Sequence, residues 1–234
     1  MLLYQKSMNY LKLFLLILIF NPLNGFTQNI EADYAVKINS ERRGNAHSII
    51  ETLGFKLIAN KNEVLYKINN KLQIKNELEY QLAKSIVDGF NEYYVNFSNK
   101  ETIIRKEFFN EFFIIKSKKD NNGWDVTKQT KVINKFTCYK AIKIIQQKHH
   151  TGKLMNTTVI AWFCPEINYP FGPVGFHGLP GLILELHKGK AVHYLKKIQF
   201  GTNTIAIVKP SKGTNVTEKE FNEILKDFAK NQSN

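Results

Sequence analysis

Apolar and polar residues alternate along most of this chain with the period of β-strands. Asn29–Asn39 (NIEADYAVKIN) sets Ile30, Ala32, Tyr34 and Val36 on one face, with Ile38 extending it, and predicts a first strand. Ser40–His47 (SERRGNAH) is polar and predicts a loop. Gly54–Ala59 and Glu63–Ile68 predict short strands around Asn60-Lys61-Asn62. Glu92–Phe97, Thr102–Phe109 and Phe112–Ser117 are aromatic or β-branched runs and predict three more. Asn110-Glu111 closes a hairpin between the last two in this reading, with Phe109 against Phe112. Asn121-Asn122-Gly123 marks a turn, and Trp124 opens a strand over Asp125–Ile133. Phe136–Gln146 and Leu154–Phe163 predict a hairpin centred near Thr151, and Leu182–His187 with Ala191–Phe200 predict another around Lys188-Gly189-Lys190. Thr204–Val208, ended by Pro210, predicts an edge strand.

The helical period shows in two places. Leu72, Ile74, Leu78, Leu82, Ile86 and Val87 form a stripe that predicts a helix over Asn76–Val87. Near the C-terminus, Thr217 and Glu220 have the spacing of a capping box. Phe221, Ile224, Leu225 and Phe228 then follow as one apolar stripe, which predicts a helix packed on the sheet. About ten strands with one or two helices define the fold class: mainly β, an antiparallel, strongly curved sheet (half-barrel or barrel) with a C-terminal helix packed on it.

Ala161–Leu186 (AWFCPEINYPFGPVGFHGLPGLILEL) interrupts the alternation. Prolines at 165, 170, 173 and 180 and glycines at 172, 175, 178 and 181 lie among aromatics. Flexible linkers lack that composition, so Cys164–Gly181 reads as a long ordered loop. Pro180-Gly181 fits the centre of a type II turn, where Gly supplies positive φ, and Gly178, Pro180 and Gly181 are read as structural. Two roles for the loop stay open. Phe171, Phe176 and Leu179 plug one end of the curved sheet, or Phe171, Phe176, His177 and Leu179 form the rim of a site for a ligand or partner.

The N-terminus reads as a secretory signal over residues 1–27, leaving one β-rich domain over 28–234. Lys6 and Lys12 precede an unbroken apolar run, Leu13–Phe20, and small residues follow at Gly25 and Thr27. Such a run is far shorter than the roughly 20 residues a spanning helix needs, and no later segment is apolar enough to cross a membrane. No cysteine lies near the cleavage zone, which excludes a lipoprotein anchor. The expected location is the periplasm or the extracellular space. Formal charge is +13, and of 33 basic residues only Arg42, Arg43 and Arg105 are arginine. Readers of nucleic acid favour the arginine fork, so the charge is read as a lysine-coated surface with no nucleic-acid partner.

Trp124, VINKFTCYKA (132–141), AWFCPEI (161–167) and FGPVGFHGLPGLILEL (171–186) resemble the GLPGLI family, exported proteins of Bacteroidota-type bacteria with no established activity. The resemblance implies export and a β-rich fold, and no mechanism. Lys135 and His177 stand where the family usually has Gly, and Cys164 where it usually has Thr. If position 135 needs positive φ, Asn134 takes the turn instead.

Candidate chemistry is sparse. A hairpin centred on Thr151 sets Cys138 opposite Cys164, either as a cross-strand disulfide, as two buried thiols or as a redox pair. A hairpin centred on Gly189 puts Glu185, His187 and His193 on one face, a set that could hold a metal or be an exposed polar face. No nucleophile motif or phosphate-binding glycine loop is present, and no cofactor is implied. The leading reading is an exported, non-enzymatic envelope protein that binds an apolar ligand or a protein partner, its oligomeric state unspecified. The alternatives are an undetected hydrolase or metal-dependent enzyme using Glu185, His187 and His193, and a structural or adhesion component of the envelope.

Overall fold

The computed structural model describes residues 29–39, 45–69, 77–117, 123–148, 154–201 and 206–231. The expected signal segment lies outside them. The strands are β1 Ile30–Ile38, β2 Gly54–Ala59, β3 Glu63–Ile68, β4 Asn91–Asn96, β5 Glu101–Phe108, β6 Glu111–Ser117, β7 Asp125–Ile133, β8 Phe136–Lys148, β9 Leu154–Cys164, β10 Leu182–Lys188, β11 Ala191–Phe200 and β12 Thr214–Val216. The helices are α1 Asn45–Thr52, α2 Glu77–Ile86 and α3 Glu218–Asn231. All strands join one 12-stranded sheet in the order β12-β6-β5-β4-β3-β2-β1-β11-β10-β9-β8-β7. It is open, with β12 and β7 at its edges, and every pairing except β12 with β6 is antiparallel. Two meanders, β1–β6 and β7–β11, meet where β1 pairs with β11 from Ile30↔Phe200 to Ile38↔Ala191.

Alternation decides which face is buried. Ile30, Ala32, Tyr34 and Val36 of β1 and Phe55, Leu57 and Ala59 of β2 all lie in the main core. The sheet curls around that core. β4 and β10 are five strand spacings apart, about 24 Å if the sheet were flat. Yet a Cβ on Gly172 would touch Ile183 of β10, and one on Gly175 would touch Tyr93 of β4. Those glycines are three residues apart and span at most about 11 Å. The sheet therefore folds around the 165–181 loop as a half-barrel around a plug. α3 covers the far end of the same side, where Phe221 packs on Phe113 and Ile115.

Three expectations are corrected. Residues 45–47, read as loop, begin α1, whose Ala46, Ile50 and the following Leu53 are buried; a helix of about two turns is too brief for a clear periodic signal. The β5–β6 turn is Phe109-Asn110, not Asn110-Glu111. Both residues have positive φ, and Phe108 pairs with Glu111, so Phe109 sits in the turn rather than against Phe112. The strand expected over Thr204–Val208 is absent from 206–208, residues 204–205 lying outside the described ones; Ile207 packs on Leu65, Tyr94, Ile103 and Ile114, and the edge strand is β12. The fold class is the expected one, and of its two forms the sheet adopts the open half-barrel.

Candidate functional site

The apolar loop residues singled out by sequence lie in the interior, while Gly178 and Pro180 are exposed. Phe171, Phe176 and Leu179 are buried, and His177 is half-buried. Phe171 packs on Phe97 with ring centroids 4.8 Å apart and planes tilted by 31°, and Trp124 Nε1 donates to the His177 carbonyl at 3.0 Å. Gly178 N–H donates to the Pro170 carbonyl at 3.0 Å, which closes the loop on itself. Gly181 has the expected positive φ, at 148°, but the turn is not type II. Gly181 N–H donates to Leu179 O at 2.8 Å, a γ-turn around Pro180, while Leu182 N–H donates to Ile167 O. The concave side retains a cavity of about 10 Å³ among Val64, Tyr66, Tyr93, Val95, Phe171 and His177, roughly the room of one water molecule.

Glu185, His187 and His193 do not converge. The β10–β11 turn holds two residues, Gly189 and Lys190, so Lys188 pairs with Ala191, Leu186 with His193 and His187 with Val192. The expected register is off by one, and one step moves a side chain to the other face. His193 points into the core beside Leu186, fully buried, with Nδ1 2.9 Å from Tyr66 Oη. Its Nε2 has no hydrogen-bond partner among the described residues, so the Tyr66 phenol holds the ring through Nδ1 alone. Burial pushes its pKa down to about 4, keeping the ring neutral. No group of three metal-binding side chains occurs among the described residues.

Glu185 and His187 face the other side of the sheet, where two residues the sequence did not single out join them. Lys131 Nζ of β7 donates to Glu185 Oε1 at 2.7 Å, and His187 Nε2 hydrogen-bonds the same oxygen. The Lys131 ammonium also lies 4.4 Å from the centre of the Trp162 ring of β9, a cation–π contact. Burial works to raise the Glu185 pKa, but the hydrogen bonds and charges of His187 and Lys131 outweigh it and hold it at about 2. A carboxylate held there is a weak proton shuttle near neutral pH. The cluster ties β7, β9 and β10 together on an outer surface. Lys131 lies in no motif, and nothing in AWFCPEI marks Trp162 as part of a site; only the pairing of four strands assembles them.

The β8–β9 register, Tyr139↔Phe163 through Lys148↔Leu154, is the expected one and makes Cys138 and Cys164 neighbours on paired strands. No disulfide joins them: both are free thiols and both are buried. Burial, then the neighbouring Cys164, pushes Cys138 up to about 12, and burial raises Cys164 too. Such thiols are poor nucleophiles.

The model of a family described as a protein of unknown function (Porph_ging) matches residues 146–185, the stretch from the end of β8 through the plug into β10. That supports an uncharacterised family and does not carry the GLPGLI name. No curated protein matches the chain. Among solved structures, PNGF-II in a P21 crystal form has a similar fold, with a TM-score of 0.56 and 14% identity over 84% of this chain and 33% of that one. PNGF-II in a C2 form gives 0.55 and 13% over 85% and 32%. The chain thus spans about a third of the length of the structures it matches, and the likeness is one of fold.

Proposed function

We propose that the protein is an exported binding module that engages a protein partner through the outer surface of its sheet. The observation that carries this reading is the filled interior. The site where a half-barrel would hold an apolar ligand is occupied by the protein's own loop. The outer face of β3–β6 is covered by the segment around Ile207, whereas the outer face of β7–β10 presents Trp162, Lys131, Glu185 and His187 only partly buried. A fold that makes up a third of a longer chain in PNGF-II suits a module that works beside other protein surfaces. Inertness of the two thiols and the separation of His193 from Glu185 argue for binding over chemistry. Export is part of the proposal and rests on the N-terminal signal pattern.

The test uses the full chain in its native envelope. A photo-crosslinker placed at Tyr194, half-exposed opposite Glu185, is expected to trap a protein partner. Native mass spectrometry of the purified protein is expected to show no bound lipid. A stoichiometric apolar ligand without a protein crosslink overturns the proposal. Sequencing of the mature N-terminus is expected to find a start within Gly25–Asn29; a start at Met1 overturns export.

A further inference from the structure

The two edges of the sheet are unlike. β12 is three residues long and runs directly into α3, which packs on its neighbour β6. Short, covered edges resist pairing with other chains. β7 is nine residues long, and among the described residues it pairs only with β8. A bulge between Val126 and Thr130 breaks its first half, but Thr130–Ile133 pairs regularly with Phe136–Tyr139. Val126 and Val132 are 51% and 71% exposed on this strand. The base of the strand is anchored, because Trp124 packs on Phe176 of the plug and donates to His177 O. An edge that is rigid, extended and exposed is a template for another strand.

Charge selects what can pair there. From Asp125 to Gln146 the β7–β8 hairpin carries Lys128, Lys131, Lys135, Lys140 and Lys143 against the single acid Asp125. Lys131 is paired with Glu185, but two copies meeting edge to edge would still bring together Lys128 and the nearby lysines of the turn and β8, and like charges repel. A strand bearing carboxylates would be attracted. We infer that the β7 edge, centred on Thr130–Ile133, takes an extended acidic segment of a partner protein by strand addition, with apolar side chains of that segment against Val132. This rests on the proposed binding role and names its surface and the chemistry of its partner.

The test uses the full-length mature protein, ¹⁵N-labelled, and two probes: an octapeptide alternating Glu with Val, and its counterpart alternating Lys with Val. With the acidic peptide, the amides of Thr130–Ile133 are expected to shift and to gain exchange protection, and the effect to weaken with salt. The basic peptide is expected to leave them unmoved. Lys128→Glu with Lys140→Glu is expected to weaken acidic-peptide binding by at least about tenfold. Lys128→Gln, a milder change on the same exposed strand, should weaken it less, and circular dichroism confirms that both variants fold. Equal response to both peptides, or no β7 shift at about 1 mM acidic peptide, overturns the inference. So do concentration-dependent broadening of β7 alone, which would mark a second copy as the occupant, and equal β7 shifts with phosphatidylglycerol vesicles. A partner that crosslinks from Tyr194 equally well in the Lys128→Glu with Lys140→Glu variant would sink the β7 edge and leave the binding role standing.

Discussion

At Gly181, backbone conformation and packing make the same demand. Its φ is 148°, and a Cβ would lie 2.1 Å from Cys164 O and 2.8 Å from Pro165 N. Both are backbone atoms and cannot swing aside. Gly181→Val is expected to cost about 3 kcal/mol or more. Gly189, at φ 59° with nothing within 4 Å of a Cβ, should lose only about 1 kcal/mol as Gly189→Ala. Equal melting shifts for the two would refute the packing argument. Lys135 is the reverse case. It follows Asn134 in the two-residue β7–β8 turn, and both have positive φ, at 45° and 70°. Gly at 135 fits such a turn better, so Lys135→Gly is expected to stabilise by about 1 kcal/mol, read from urea unfolding. His193 sets an acid limit. It is neutral in the fold, with a pKa of about 4 against 6.5 when free. The unfolded chain therefore takes up a proton that the folded one refuses, and stability falls as pH drops from about 6.5 to about 4, by about 3 kcal/mol in all. His193→Gln should flatten that slope; an unchanged slope would place the acid sensitivity elsewhere.

Among the elements, α3 shows how local and tertiary terms divide. The capping box forms: Thr217 N–H donates to Glu220 Oε2 at 2.6 Å, and Glu220 N–H to Thr217 Oγ1 at 3.1 Å. Thr217→Ala is expected to cost about 1 kcal/mol. Phe221, buried on Phe113 with ring centroids 5.3 Å apart, is expected to cost about 3 kcal/mol as Phe221→Ala. Far-UV dichroism on urea titration measures both, and a cap effect as large as the core effect would mean that the helix stands without its packing. The β10–β11 hairpin makes a different point. A turn of two residues rather than three sends His193 into the core and leaves Glu185 and His187 outside, joined to Lys131.

For the whole molecule, the plug and the curl depend on each other. The loop links β10 to β4 across the concave side, and Tyr34 Oη of β1 donates to the Ile183 carbonyl at 2.8 Å just beyond it. Neither meander can bury its inner face without the other and the loop between them. The structure is therefore expected to unfold in one step. Fluorescence of Trp124, which touches the plug, and Trp162, on the outer face of β9, should change together with far-UV dichroism. An earlier tryptophan transition would mean that the plug leaves the sheet independently.

Sequence alone determined most of the elements and their kind, though it missed α1 and β12 and set an edge strand near Val208. The alternation in β1, the run of β2, and the stripe of α3 are short-range signals, because side-chain direction repeats every two residues in a strand and every 3.6 in a helix. The β8–β9 register was equally legible, since a hairpin's arms are tied by their turn. Positive φ at Gly181 followed from Pro-Gly chemistry, though the γ-turn did not. What only the tertiary structure decided is long-range or turns on one residue. β1 closes on β11, some 160 residues away, and no local pattern encodes that partner. The loop's aromatics could line a rim or fill an interior, and both ask for the same residue types; curvature chose the interior. One residue of turn length separated His193 from Glu185 and dissolved the metal-like triad. The cluster around Glu185 needed four strands to be ordered before Lys131 and Trp162 could reach it, and the β7 edge, unpaired among the described residues, became visible only once the other strands had found their neighbours.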